Sequence, residues 1–359
     1  MGGRRNFIKR SGLVLAATVL PFPDLIFSQR KQKLGIALVG LGSYSTHQLA
    51  PALQQTKYCE LRGIVTGSPD KIPRWQKNYN IPDSNVYNYG NMHEIASNDD
   101  IDVVYIVLPN SMHAKYSIIA ANAGKHVWCE KPMAISTDEC RQMIKACETN
   151  KVRLAIGYRL QHEKNNQLMM KWAETKPYGP IQNLEAAAGF YSSNPGWRAE
   201  KEMGGGAMYD MGVYPLNTSR YTTGMEPVAV SAKSYTTRDE LFKEVDESMH
   251  FTLEFPGGIT ADCRTSFGEG MNNLEVKCRN GSYFLRPFQT YSGVKGGTSD
   301  GKLLEPFGKN QQAVQMDDDA LAIINNEPMI APGEEGLKDI KVLERIYESA
   351  ARDGQRLEM

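Results

Sequence analysis

From Leu34 onward, continuous apolar runs alternate with amphipathic stretches. LGIALV leads into Gly40-Leu41-Gly42 and then a helical pattern, and ELRGIV leads into Thr66-Gly67-Ser68-Pro69. DDIDVVYIVLPNSMHAKYSIIAANAG reads as a buried strand followed by a helix, and KHVWCEKP as the next strand. STDECRQMIKACETNK is the next helix, and KVRLAIGYR a closing strand. Unbroken Val/Ile runs between amphipathic helices imply a parallel sheet covered on both faces.

Beyond about residue 155 the texture changes. NLEAAAGFYSS, PVAVSAKSYTT, ESMHFTLEF, ITADCRTSF and NLEVKCRNGSYFLRP read as strands, with Met249, Phe251, Leu253 and Phe255 alternating along one of them. Pro256-Gly257-Gly258 and Asn280-Gly281 are hairpin turns. EEGLKDIKVLERIYESAARDG is a helix with apolar positions at Leu337, Ile340, Val342, Leu343 and Ile346, closed by Gly354. The fold class expected is therefore α/β. An N-terminal Rossmann-type doubly wound parallel sheet spans 31–155, and a C-terminal α+β domain over 156–359 carries a large, mostly antiparallel open sheet. An open sheet needs a cover on its outer face, which predicts a homodimer or homotetramer built through it.

Composition narrows the function classes. The chain has 41 basic and 41 acidic residues with no long block of either sign, which argues against a nucleic-acid footprint or an anionic-membrane patch. The six cysteines form no CxxC pair and the six histidines no metal-ligand spacing, so free thiols and no metal are expected. Residues 1–30 read as an export signal, with a basic start, a short apolar stretch and the order Arg4-Arg5-Asn6-Phe7-Ile8-Lys9, which resembles a twin-arginine motif. Ser28 is the expected last residue before cleavage, which places the mature protein in the periplasm, away from any membrane.

The strand-turn-helix setting of Gly40-Leu41-Gly42-Ser43-Tyr44 is that of a dinucleotide fingerprint. Gly40 suits the tight turn, and Gly42 lets backbone approach a pyrophosphate at the helix start. The third glycine is replaced by Ser45. At the end of the second strand an NAD site carries an acid for the ribose hydroxyls. Here Thr66 and Ser68, followed by Lys71 and Arg74, suit a 2′-phosphate, so NADP is expected, and Asp70 leaves NAD open. Ligands of doubly wound sheets bind beyond the carboxyl ends of the strands. Leu108-Pro109-Asn110, with His113 just after, and Glu130-Lys131-Pro132 occupy that edge.

A second chemical stretch is GGGAMYDMGVYPLNTSRY. Three glycines allow close backbone approach, and Asp210 and Tyr214 lie four apart on one helix face. A phenol ordinarily titrates near 10 and becomes usable for acid–base work beside a positive charge, for which Lys131 is the candidate. By spacing alone, a core aromatic and a helix cap are the better reading.

Together GLGSY, LPNSMHA, AGKHVWCEKPMA, IGYR, WR, GGGAMYDMGVYPLN and PGEEG resemble the glucose–fructose oxidoreductase / inositol dehydrogenase superfamily (Gfo/Idh/MocA), over essentially the whole chain after the signal. The glucose–fructose oxidoreductase branch, which also carries a twin-arginine leader, is the better match, and DxxxY replaces the DxxxH usual among dehydrogenases of the family. The resemblance implies that Lys131 is the active-site lysine, followed by a cis proline bond. It implies that Tyr214 is the general acid/base and that Asp210 orients substrate or Tyr214. Tyr158, Arg159, Trp197 and Arg198 would line the sugar and nicotinamide side.

Export sharpens this expectation. Free NADP is scarce outside the cytoplasm, so a tightly held cofactor would be regenerated by a second sugar: one aldose oxidised at C1 to a lactone, another sugar reduced to an alditol. One departure is the short segment Gln29–Lys33 before the first strand, where glucose–fructose oxidoreductase has an arm that wraps the nucleotide. Two rivals stay open: an NAD(P)-dependent glycosidase of the same fold, and a non-enzymatic nucleotide-binding redox sensor.

Overall fold

Six short apolar strands make a parallel sheet in the computed structural model, which describes residues 31–359; the export-signal reading of residues 1–30 lies outside them. The strands are β1 (Leu34–Val39), β2 (Cys59–Val65), β3 (Val86–Tyr87), β4 (Val103–Ile106), β5 (His126–Cys129) and β6 (Leu154–Ile156), in the order β3-β2-β1-β4-β5-β6. Every residue of β1, β4 and β6 is buried, as unbroken apolar strands covered on both faces must be. The register decides where the chemistry goes. Val39 pairs with Val65 and Ile106, Ile106 with Cys129, and Cys129 with Ile156. The residues that follow, Gly40, Thr66, Val107, Glu130 and Gly157, therefore leave the sheet along one edge.

After β1 a π-helical turn, Ser45–Leu49, runs into the short α1 (Ala50–Leu53). Helices α2 (Ile72–Tyr79), α3 (His113–Asn122) and α4 (Thr137–Thr149) complete the crossovers. Ser136 caps α4, its hydroxyl accepting from Glu139 N at 3.2 Å, so EKP is followed at once by a firmly started helix. The short edge strand β3 and the helix α2 carry too few periodic positions to be read from the sequence.

Downstream come α5 (Lys164–Thr175), β7 (Ile181–Gly189), α6 (Val213–Thr223), β8 (Ala229–Tyr235), β9 (Ser248–Phe255) and β10 (Ile259–Ser266). They are followed by β11 (Met271–Cys278), β12 (Gly281–Leu285), β13 (Gly296–Thr298), α7 (Gln311–Asn325), α8 (Gly333–Ala351) and β14 (Leu357–Glu358). The second sheet runs β13-β12-β11-β7-β10-β9-β8-β14. Both expected hairpins form, joining β9 to β10 and β11 to β12. The sheet is mixed, because β7 enters first and takes a central place. It pairs parallel with β10 and antiparallel with β11, each belonging to a separate run of hairpins.

On β9, Met249, Phe251, Leu253 and Phe255 are buried beneath the helices, α6 packing on β7 and β10 and α8 on β8. The opposite face is polar, with exposed Thr260, Asp262 and Arg264 on β10 and ion pairs such as Lys277 Nζ–Glu185 Oε1 at 2.6 Å. All six cysteines are buried and unpaired. α7 returns to the first sheet, where Ala313, Met316 and Ala320 share a core with Leu34, Ile36 and Leu38. Gln32–Met359 accordingly form one compact unit.

Candidate active site

A cleft of about 690 Å³ runs along the carboxyl edge of the first sheet, its far wall formed by the second sheet's connections. The glycine turn forms one end. Gly40 has φ 93°, and a Cβ there would lie 2.4 Å from Val107 O, so both conformation and space demand glycine. A Cβ on Gly42 would meet nothing within 4 Å: the backbone is bare toward open space. That is the room a pyrophosphate needs, and the turn fits a dinucleotide. The Ser45 hydroxyl, fully buried, donates to Gly40 O at 2.5 Å, a polar tie where the fingerprint has its third glycine. Lys71 Nζ donates to Leu41 O at 3.0 Å and so reaches back over the turn, while Ser68 N donates to the Thr66 hydroxyl at 3.0 Å.

The other end is charged. The Lys131–Pro132 bond is cis. Lys131 Nζ donates to Asp210 O at 2.7 Å, lies 3.4 Å from Asp210 Oδ1, and sits 4.6 Å from the centroid of the Tyr214 ring. Arg198 Nε donates to Asp210 Oδ2 at 2.6 Å. Burial works against the Asp210 charge, but Lys131 and Arg198 outweigh it and hold the carboxyl below its ordinary value. Burial likewise works against the Lys131 ammonium, and Tyr214 and then Asp210 keep it above its ordinary value. Glu130 is the opposite case: burial raises it, against the hydrogen bond from Tyr105 OH at 2.7 Å. Arg159, buried, lies 5.5 Å from the Tyr214 centroid, so two positive charges flank the phenol.

Local structure positions these groups. Asp210 rides on a π-helical turn, Met208–Gly212, which continues into α6 at Tyr214. The buried Asp246 holds that turn, accepting from Met208 N at 2.7 Å and from Tyr347 OH at 2.6 Å. Gly206, at φ 110°, is needed there because a Cβ would lie 2.3 Å from Asp246 Oδ1.

Residues 34–158 match a family described as "Oxidoreductase family, NAD-binding Rossmann fold", and residues 167–284 match the "GFO/IDH/MocA C-terminal domain". The solved structure of an aldose–aldose oxidoreductase from Caulobacter crescentus, complexed with glycerol, superposes with a TM-score of 0.88 at 36% identity, covering 91% of this chain and 100% of that one. The chain belongs to the Gfo/Idh/MocA oxidoreductase family. A D-xylose 1-dehydrogenase [NADP(+)] from Haloarcula marismortui is 29% identical over 328 residues, 88% of this chain and 90% of that protein. A 3-ketoreductase from Actinomadura kijaniata, solved with TDP-benzene and NADP, shares the fold at a TM-score of 0.76 and 21% identity, covering 88% and 98% of the two chains.

Within this family fold, most of the residues singled out by sequence converge on the cleft. The glycine turn from Gly40 to Tyr44, Thr66, Ser68, Lys71, Leu108, Pro109, Asn110, Glu130, Lys131, Arg159, Trp197, Arg198, Asp210 and Tyr214 all line it. Two do not. Tyr158 is buried on the other side, where burial and then the Asp339 carboxylate push its phenol well up. The chain leaves β6 and turns directly into the Arg159–His162 turn, so neighbouring side chains diverge and only Arg159 faces the cleft. His113, expected to touch the cofactor, is buried between carbonyls, Nδ1 2.7 Å from Pro132 O and Nε2 2.9 Å from Leu108 O. It ties the loops after β4 and β5 together instead. Sequence reasoning missed Phe190 at the end of β7 and the segment Gln289-Thr290-Tyr291, which also line the cleft. An aromatic just past a strand end and a short polar loop carry no periodic or spacing signal.

Proposed function

We propose that this protein is an NADP-dependent sugar oxidoreductase that transfers hydride between a sugar hydroxyl carbon, the aldose C1, and the nicotinamide. The observation that carries the reading is Tyr214, flanked by Lys131 and Arg159, in the same cleft as the bare glycine turn. The similarity to an aldose–aldose oxidoreductase and to an NADP-dependent xylose dehydrogenase supports a sugar substrate and NADP. Thr66, Ser68 and Lys71 are the residues that would hold the 2′-phosphate, and Gly40–Tyr44 the pyrophosphate.

NADP, when bound, supplies the hydride acceptor for the C1–H bond. Tyr214, its own phenol proton given up beforehand, takes the proton of the C1 hydroxyl as that oxygen becomes the lactone carbonyl, and gives the same proton back when a second sugar is reduced. Lys131 and Arg159 place positive charge beside the ring, offsetting the negative charge its oxygen carries before it accepts that proton. The Arg198–Asp210–Lys131 chain keeps Lys131 in register with the ring and presents donors at the substrate side. The twin-arginine reading of residues 1–30 fits export of a folded, cofactor-loaded protein to the periplasm, with the nucleotide regenerated in place. A homodimer or homotetramer through the polar face of the second sheet completes the reading.

The test is the near-ultraviolet absorbance of purified protein on adding an aldose without coenzyme. Growth of a reduced-nicotinamide band in proportion to enzyme is the expected result. A requirement for added NADP leaves a dissociable dehydrogenase and removes the two-sugar cycle. No band with any aldose, even with NADP added, overturns the sugar reading.

A further inference from the structure

We infer that Tyr291 is a cofactor-retaining residue: with Tyr44 and Arg159 it forms an aromatic strap across the cleft that limits release of the dinucleotide. This rests on the proposed NADP function and deepens it. Tyr44 is the last residue of the glycine turn on the first sheet, whereas Tyr291 lies between β12 and β13 of the second. Their ring centroids are 5.7 Å apart with planes inclined at 38°, in the range of a favourable aromatic pair. The pair joins the two walls of the cleft beside the turn along which a dinucleotide must lie.

The strap is held from below. The Arg159 guanidinium lies 4.9 Å from the Tyr291 centroid and 5.5 Å from that of Tyr214, a cation between the two rings. Its Nη1 donates to Thr290 O at 2.9 Å and to Gln311 Oε1, and its Nη2 lies 3.4 Å from Gln289 Oε1. Asn272 on β11 grips the base of the same segment, its Oδ1 accepting from Phe288 N and Gln289 N and its Nδ2 donating to Gln289 O at 2.6 Å. Phe288 itself is fully buried. The segment is thus anchored to α7, β11 and the end of β6. Tyr291 remains 45% exposed, at the cleft mouth. A nucleotide seated on the glycine turn leaves past this ring pair, so parting the rings becomes part of the release step.

The test follows release of NADPH from loaded full-length protein into an excess of NADP, read by nucleotide fluorescence. Tyr291→Ala and Tyr44→Leu are each expected to speed release by roughly two- to tenfold, the factor that one such ring or cation contact supplies. Tyr291→Phe keeps the ring and should release at the wild-type rate. The double variant should be no faster than the faster single one, because both remove the same contact. Because Tyr44 sits on the other sheet, its variant reads the contact even if Tyr291→Ala folds poorly. Wild-type release rates in both single variants, or additive effects in the double one, overturn the strap while leaving the NADP reading intact. Wild-type protein that takes up no NADPH overturns the NADP reading and the strap with it.

Discussion

Lys131 meets three partners with one side chain: the Asp210 carbonyl, the Asp210 carboxylate and the face of Tyr214. A buried ammonium needs such company, since burial alone disfavours its charge. If this charge assists proton transfer at Tyr214, Lys131→Ala and Tyr214→Phe should each lower kcat by roughly 10²–10⁴-fold, the usual worth of a positioned acid–base group. NADP affinity should stay near the wild-type value in Tyr214→Phe, as checked by fluorescence titration. A Tyr214→Phe enzyme that keeps most of its turnover would remove the phenol from the chemistry. At this scale Lys131, Asp210 and Tyr214 were legible because EKP and DxxxY carry a family signature. Tyr158 was misplaced because adjacency in sequence says nothing about which way a side chain leaves an irregular turn.

The helix α7 carries a buried carboxyl outside the chemistry. Burial pushes Asp319 up to about 7, the nearby Asp318 adding to the rise and His162 and Gln315 opposing it. An unfolded aspartate titrates near 3.9. The group's folded-state value is therefore the higher one, so its contribution to stability is full below about pH 4 and is lost as pH rises toward about 7. Asp319→Asn removes that loss. It should stabilise the protein by up to about 4 kcal/mol at pH 8 and leave it unchanged near pH 4, since the rise from about 3.9 to about 7 spans roughly three tenfold steps of about 1.4 kcal/mol each. Denaturant unfolding at the two pH values measures the difference, and an equal gain at both would show that ionisation is not the cause. The place of α7 was not legible: its apolar positions show that it packs, but not that it packs on a sheet whose strands ended far upstream.

At the scale of the whole molecule, the outer face of the second sheet bears on assembly. That face carries the ion pair of Lys277 with Glu185 and the polar contact of His250 with Asp262, rather than the apolar surface of an obligate core. An assembly through it would be built on complementary charge and would respond to salt and charge reversal. Light scattering is expected to give a dimer or tetramer that Arg264→Glu, at an exposed position of β10, shifts toward the monomer. A wild-type monomer at micromolar concentration and low salt would dispose of that assembly.

The sequence by itself determined whatever depends on near neighbours. Apolar runs of strand length became β1, β4 and β5, alternation became β9, and Pro-Gly-Gly and Asn-Gly became hairpins. A parallel sheet then brings the residues after each strand to one edge, which is why Gly40, Thr66 and Glu130 could be placed together in advance. Only the tertiary structure decided what depends on contacts between distant segments. Those are the parallel pairing of β7 with β10, the return of α7 to the first sheet, and the approach of Tyr291 to Tyr44. Each is held by packing and hydrogen bonds between parts of the chain whose local patterns are satisfied equally well apart, so no local period or spacing records them.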